Sequence, residues 1–376
     1  MAVKAPFRDC STLLPFPSDT ATSKVIGNQP ALGGYKAMEI MPISASKTSR
    51  NAKLGIPQAA NFTLATIHVL ANIFQLFILP LYLLPRGMWW SVTLVPIAAL
   101  NNPFWAVIHE TIHDTFNAAS RINLIAGRVL SVFFGSPFHV LRLTHLSHHK
   151  FNRSPLEKGT EIYDPQKVSR FKANIRYYFY IVCGLYLLEV FSAFIFFLPR
   201  RRFLELAQRL VREGNIQEGW LAQKFMDDKR LHEIRMDGLA IALILGSSAL
   251  CYRGRWMPFL SIIGARMFLI SFMDNVYHYR TALNVTVSGS NFWVPRFAAL
   301  SLLNFNLHRV HHANPSLPWT KLPEVFEHEP EKYDGNLLAA ALAQFLGAIP
   351  AAQLEPHLPQ TLNSDLKVSA VGGSRG

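Results

Sequence analysis

The sequence predicts an all-α integral membrane protein: about four transmembrane helices in two hairpins, with a cytoplasmic helical cap that carries clustered histidines. Three observations predict it. Half of the 376 residues are hydrophobic and only 16% are charged, against roughly 25% in ordinary globular domains. Long uncharged apolar stretches recur along the chain, each near the ~20 residues that cross a bilayer. Nine of the 14 histidines fall into four tight groups between or beside those stretches.

Residues 1–61 are polar, with scattered Pro, Gly and Ser, and lack the early apolar core of a secretory signal. They read as a loosely ordered cytoplasmic arm. An uncharged run of 23 residues from Phe62 to Leu84 and another of 21 from Met88 to Ile108 form the first hairpin, turning at Pro85, Arg86 and Gly87. Trp89 and Trp90 stand where an interfacial aromatic belt is expected. Residues 121–141 are apolar but interrupted by Arg121 and Arg128, and contain Gly127, Gly135 and Pro137, which suits a helix lying in the interface.

Three further apolar runs follow, at 174–198, 238–252 and 256–273. Histidine groups lie both before and after them, so a shared site on one membrane face requires an even number of crossings between. The run at 174–198 leads into Arg200, Arg201 and Arg202 and a polar stretch to Arg235 with nine Lys and Arg. It is therefore expected to lie along or re-enter the membrane, leaving 238–252 and 256–273 as the second hairpin. Arg253 and Arg255 occupy its turn, and Arg266 falls inside the last run, where an ionisable residue marks either function or a snorkelling boundary position. The body of the protein is read as 62–352, and 353–376 as a flexible tail.

The net charge of +13 raises nucleic acid as a partner. The basic residues, however, sit in short stretches between apolar runs, not along an aromatic-interleaved polar surface, which favours cytoplasmic flanks facing anionic lipid. Cys10, Cys183 and Cys251 are scattered without ligand spacing, so the chain offers no disulfide framework, zinc knuckle or iron–sulfur set. Any electrons a redox reaction needs must come from a separate donor. Both termini and the histidines are expected on the cytoplasmic side.

The groups are His109 and His113; His145, His148 and His149; His278; and His308, His311 and His312. Positions three or four apart share one face of a helix, so each group can aim two or three imidazoles at one point. Neutral imidazole suits zinc, copper, iron and nickel, and nine ligands are too many for one ion. Two ions with four or five imidazoles each account for the set. His278 alone reads equally well as an ordinary buried histidine, but two His-x-x-His-His groups beside a His-x-x-x-His do not. His68, His139, His232, His328 and His357 are isolated.

His109-Glu110-Thr111-Ile112-His113 also spells the His-Glu-x-x-His motif of zinc proteases, with Asp237-Gly238 as a conceivable third-ligand segment. That reading leaves seven clustered histidines without a role. Asp274 and Asn275, four and three residues before His278, are candidates to orient that imidazole or hold a metal-bound water. Asp164 and Glu161 are candidates to brace ligands of the second group from a loop.

The three boxes resemble the His-x3/4-His, His-x2/3-His-His, His-x2/3-His-His pattern of membrane fatty-acid desaturases and related hydroxylases. The run from Asn306 through Pro315, Pro318 and Trp319 to Leu322 and Pro323 is similar to the family's Asn-x-His-x-x-His-His-x-x-Pro-x-x-Pro-x-x-x-Leu-Pro. The resemblance covers about residues 60–330. It implies two ferrous ions held by the nine histidines, O2 as co-substrate, an apolar tunnel between the spans, and desaturation of a fatty acyl chain or lipid. The same boxes serve hydroxylases and ketolases of carotenoids, alkanes or lipids. No fused heme domain or iron–sulfur motif is visible, so a separate ferredoxin-like or cytochrome b5-like donor is expected; Arg142, Lys150, Arg153, Lys158, Lys167, Arg170 and Lys172 around the second box would suit an acidic partner, although plain positive-inside topology accounts for them more simply.

Overall fold

A computed structural model describes residues 55–157, 159–212, 216–328 and 332–354, and these are helical almost throughout. The expected N-terminal arm and C-terminal tail lie almost wholly outside the described residues.

α1 (Gln58–Ile73) runs directly into a π-helical stretch, Phe74–Leu83, giving a helix of 26 residues with mean hydropathy 1.9. Pro80 lies inside that stretch and has no N–H to contribute, which fits the departure from regular α bonding there. The second apolar run is not one straight helix. A 3-10 turn (Met88–Thr93) and α2 (Leu94–Ala99) meet α3 (Asn101–Ile112) at 41°. Asn101 Nδ2 donates to the Ala98 carbonyl at 2.8 Å, closing the end of α2, and Pro103 sits in the first turn of α3, where a missing N–H is tolerated.

Residues 121–141 form no single interfacial helix. α4 (Ser120–Phe134) and α5 (Phe138–Phe151) meet at 101°. Gly135 adopts φ 104°, a left-handed value that costs glycine little, and Pro137 then starts a new direction. The elbow is packed shut: a Cβ on Gly127 would stand 2.4 Å from the Phe138 ring, so only glycine lets that ring lie against α4.

After β1 (Ile162–Tyr163), α6 (Arg170–Phe179), a π turn (Tyr180–Gly184) and α7 (Leu185–Ile195) form one 26-residue apolar helix. α8 (Arg200–Arg212) and α9 (Ile216–Lys224) pack Phe203, Ala207 and Leu221 against Phe196 and the α5 residue Val140. α10 (Asp228–Tyr252) is capped by Asp227, which accepts the N–H of Arg230 at 3.0 Å. It turns through Arg253 and Gly254, both at positive φ, into α11 (Trp256–Val276). Among the described residues, four helices, 58–83, 170–195, 228–252 and 256–276, are thus long and apolar enough to cross a membrane. The stretch at 88–112 qualifies only as a bent pair.

Arg266 of α11 is buried and fully engaged. It donates to Asn101 Oδ1 at 2.8 Å and Asn72 Oδ1 at 2.7 Å, and to the Phe133 and Phe134 carbonyls at 2.8 and 3.0 Å. Those two carbonyls end α4, where the helix dipole is negative, and the rings of Phe104 and Phe134 flank the guanidinium. This arginine within a candidate span is therefore a staple joining α1, α3, α4 and α11. Around it lies the main core, including Phe104, Ile108, Phe134, Phe138 and Ile270.

The remainder is short: β2 (Phe292–Trp293), α12 (Arg296–Ser301), α13 (His308–Ala313), a 3-10 turn leading into α14 (Leu322–His328), β3 (Gly335–Asn336), α15 (Leu337–Ala343), a 3-10 turn (Gln344–Leu346) and β4 (Ile349–Pro350). β1 pairs with β4 and β2 with β3, both parallel. These two-residue sheets tie the C-terminal segments to the chain after the second histidine box and before the third.

Candidate metal centre

The histidines sit at helix ends that converge. α3 ends at Ile112, so His109 occupies its last turn and His113 follows it. α5 carries His145, His148 and His149. His278 comes two residues past α11, and α13 carries His308, His311 and His312. Asn291 anchors the start of α13, its Oδ1 accepting the N–H of Arg309 at 3.0 Å, while Asn306 Nδ2 donates to the Phe292 carbonyl at 2.8 Å.

The nine imidazoles divide into two donor sets. His109, His113, His145, His149 and His311 form one, and His148, His278, His308 and His312 the other; within each, the ligand atoms lie within 4.8 Å of one another. In the first set the Nε2 atoms of His145 and His113 are 2.9 Å apart, those of His149 and His145 3.0 Å, and those of His311 and His149 3.0 Å. In the second, His148 and His278 are 3.0 Å apart, His308 and His278 2.9 Å, and His312 and His308 3.0 Å. At a metal–imidazole bond of roughly 2.0–2.1 Å, donors stand about 2.9 Å apart on a right-angled edge and about 3.3–3.4 Å apart on a tetrahedral one. The short spacings lie near the first value, and five donors in one set exceed a tetrahedral shell. His109 Nε2 is buried with no hydrogen-bond partner, a desolvation cost that a bound cation would offset.

The contacts around the donors differ from the sequence expectation. Glu157, which the sequence reading passed over, has Oε1 2.6 Å from His148 Nδ1. His278 Nδ1 faces the Ser288 carbonyl at 3.2 Å. Glu161 instead pairs with Arg153 at 2.5 Å, both buried. Asp164 accepts the Gln166 N–H at 2.9 Å in an exposed turn, and Asn275 Nδ2 donates to Gln344 Oε1 at 2.7 Å and Tyr177 at 3.3 Å. Neither side chain has a hydrogen bond to a clustered histidine among the described residues. Asp274 does stand close: with Trp105, Tyr277 and Phe305 it lines a cavity of about 20 Å³, room for about one water-sized molecule. Those three rings contact the clusters directly, Trp105 at His145, Phe305 at His109 and Tyr277 at His308.

Glu110 belongs to neither donor set. Its Oε2 accepts the main-chain N–H of Trp319 at 3.4 Å, so it ties the first box to the segment after the third. Among the isolated histidines, His68 stacks on Phe104, His139 pairs with Glu233 and His328 with the Glu324 carbonyl.

Burial holds His113, His278, His308 and His312 well below the ordinary imidazole value of 6.5, and holds His311 near 3, with neighbouring histidines adding to the effect. They are neutral, the form that binds metal. Because the folded values are depressed, the unfolded chain takes up protons first as pH falls. The metal-free protein is thus expected to lose stability progressively below pH 6.5. Thermal unfolding in detergent between pH 8 and pH 5 checks this, and a midpoint flat across that range is the contrary result.

The fatty acid desaturase family model matches residues 87–340 of the chain, a span that includes all nine clustered histidines. No curated protein and no solved structure matches it.

Proposed function

The chain belongs to the fatty acid desaturase family, and on that premise we propose that it desaturates a fatty acyl chain or lipid within the membrane, using O2 and two iron ions. The observation that carries this reading is the division of nine imidazoles into adjacent sets of five and four. Bound iron would supply the power to activate O2 and break an unactivated C–H bond. Overall, two hydrogens from the substrate, with two electrons from a donor and two protons from the medium, reduce O2 to two waters and leave a C=C bond.

This chain's residues do the rest. His109, His113, His145, His149 and His311 would hold one ion, and His148, His278, His308 and His312 the other. Glu157 and the Ser288 carbonyl fix the imidazoles of His148 and His278, leaving their Nε2 atoms turned inward. Trp105, Tyr277 and Phe305 form an apolar wall that keeps bulk water off the donors and offers a surface to a hydrocarbon chain. Asp274, on the same cavity, is placed to hold a water beside the set of four.

The topology follows from parity. The boxes meet, so an even number of crossings separates His149 from His278, yet three candidate spans lie between them. We assign 170–195 to stay on the histidine side. Its end meets the polar start of α10, where Arg235 Nε donates to the Phe196 carbonyl at 2.9 Å. The opposite end of α10 meets the first span, Ser248 and Tyr252 donating to the Leu76 and Gln75 carbonyls at 2.9 and 2.6 Å. Two hairpins, 58–112 and 228–276, would then carry a cap on the cytoplasmic side, the side that an excess of Lys and Arg favours.

Electrons would come from a separate ferredoxin-like or cytochrome b5-like protein. The basic face for it is smaller than the sequence implied. Arg153 is buried against Glu161, Arg142 pairs with Asp114 at 2.9 Å, and Lys158 lies outside the described residues. Lys150, Lys167, Arg170 and Lys172 remain exposed.

Expression in a lipid-producing host, with mass spectrometry of the extract and metal analysis of the purified protein, tests the reading. The expected result is iron together with a lipid lighter by about two mass units, the loss of two hydrogens. A gain of one oxygen atom instead would make the chain a hydroxylase or ketolase, and zinc without iron would sink the reading.

A further inference from the structure

The segment Leu337–Leu346, α15 with its following 3-10 turn, reads LLAAALAQFL and carries no charge. Mostly small side chains face inward: Ala340, Ala341 and Ala343, with Leu337, pack against a core that includes Tyr177, Ile181, Phe272 and Val276. Other large ones point outward: Leu338, Leu342 and Phe345 are 68%, 58% and 58% exposed. The spacing i, i+4, i+7 puts all three on one face. A helix bordering water has the opposite arrangement, with bulky apolar residues buried and polar ones outside. Ten residues extend only about 15 Å, half of a ~30 Å hydrocarbon core, so this helix cannot cross a membrane.

The outward face is continuous with a candidate span. The Phe345 ring lies 5.7 Å from that of Phe272, which stacks at 5.1 Å on Phe268, itself exposed on α11. α12 has the same character, with Phe297 75% exposed and Leu300 one turn later also outward. The segments entering α12 and α15 are joined by the β2–β3 pair, Trp293 opposite Asn336. Trp293 is exposed too, beside an exposed Arg296, the pairing of aromatic and basic side chains favoured at a membrane interface.

We propose that α12 and α15 form one lipid-immersed surface, dipping into the leaflet at the histidine end of α11. The occupant of this face is the bilayer itself, because the face prolongs the apolar exterior of the span and contains no charge along α15. The inference stands whatever reaction the centre performs. For the reaction proposed above it has a consequence: Leu302 and Phe305, directly after α12, line the cavity beside the histidines, so one wall of that cavity is carried by a segment lying in lipid.

Full-length protein in phosphatidylcholine–phosphatidylglycerol vesicles tests this. With Cys10, Cys183 and Cys251 replaced by alanine, nitroxide labels on Leu342→Cys and Phe297→Cys are expected to relax severalfold faster with oxygen than with a water-soluble nickel chelate. A label on Glu324→Cys, on the charged face of α14, should show the reverse. Dominance of the nickel chelate at 342 and 297 would overturn the proposal in favour of a water-facing surface. Protection from both reagents, with spin–spin broadening removed by dilution with unlabelled protein, would overturn it in favour of a second copy. A measurement that keeps all native cysteines is quenching by lipids brominated along the acyl chain: the quenched fluorescence should fall in Trp293→Phe, and no change would count against the proposal.

Discussion

Replacing His308 with alanine is expected to abolish turnover and to lower bound iron from about two ions per chain to about one. His308 is central to the smaller donor set, its Nε2 lying 2.9 Å from that of His278 and 3.0 Å from that of His312. Without it three imidazoles remain, and an ion there loses a quarter of its protein ligands. The five-histidine set shares no member with it and should keep its iron. The loss is therefore selective, which distinguishes it from unfolding. Iron analysis, substrate conversion and a melting curve on the same preparation check it. Near-normal iron with normal conversion would remove His308 from the centre.

The partition behind that prediction was only half legible in the sequence. Spacing of three and four residues showed that each box could aim its histidines together, because helical periodicity is local. It did not show that the boxes would be cut apart. His148 and His149 go to different sets, as do His311 and His312. The reason is geometric: consecutive residues on a helix diverge by about 100°, so the two adjacent histidines of a His-His pair cannot reach one ion and must straddle two. That rule was available from the sequence, whereas the pairing of boxes across the fold was not.

The fold shows the same division. The apolar runs at 62–84, 238–252 and 256–273 correspond to helices because length and hydropathy suffice to define them. The bends were missed where one or two residues decide direction. Gly135 and Pro137 were visible in 121–141, yet the 101° elbow depends on Phe138 finding room against Gly127, a contact between two helices. Arg266 stands out in the sequence as a charge inside an apolar run, a mark of function or of a snorkelling boundary, but its four acceptors come from three other helices, far off in sequence. Glu157 carries no signal in the sequence. It lies nine residues beyond His148 in a loop, outside any helical register, while the nearby Glu161 was consumed by Arg153.

Glu157→Gln is expected to weaken iron binding at the four-histidine set by about 10–100-fold, with a comparable fall in turnover, and to leave the five-histidine set unchanged. Glu157 Oε1 stands 2.6 Å from His148 Nδ1, and a carboxylate can only accept there. It therefore holds the proton on Nδ1 and leaves the Nε2 lone pair free for metal. Its charge also makes that imidazole a stronger donor, which matters more in a set of four than in a set of five. Glutamine removes the charge and, by presenting its amide N–H to Nδ1, can favour the tautomer whose Nε2 carries hydrogen and cannot ligate. Size and shape barely change, so the helix carrying His148 should stay in place. Chelator competition on the purified protein is the decisive measurement. One of the two irons should leave the variant at an about 10–100-fold lower chelator concentration than it leaves the wild type, while the other should not shift. Spectroscopic separation of the two iron environments would then assign the early loss. If both irons leave as in the wild type, the Glu157 contact is a surface ion pair without influence on the metal. If both leave early, the substitution has loosened the whole cap.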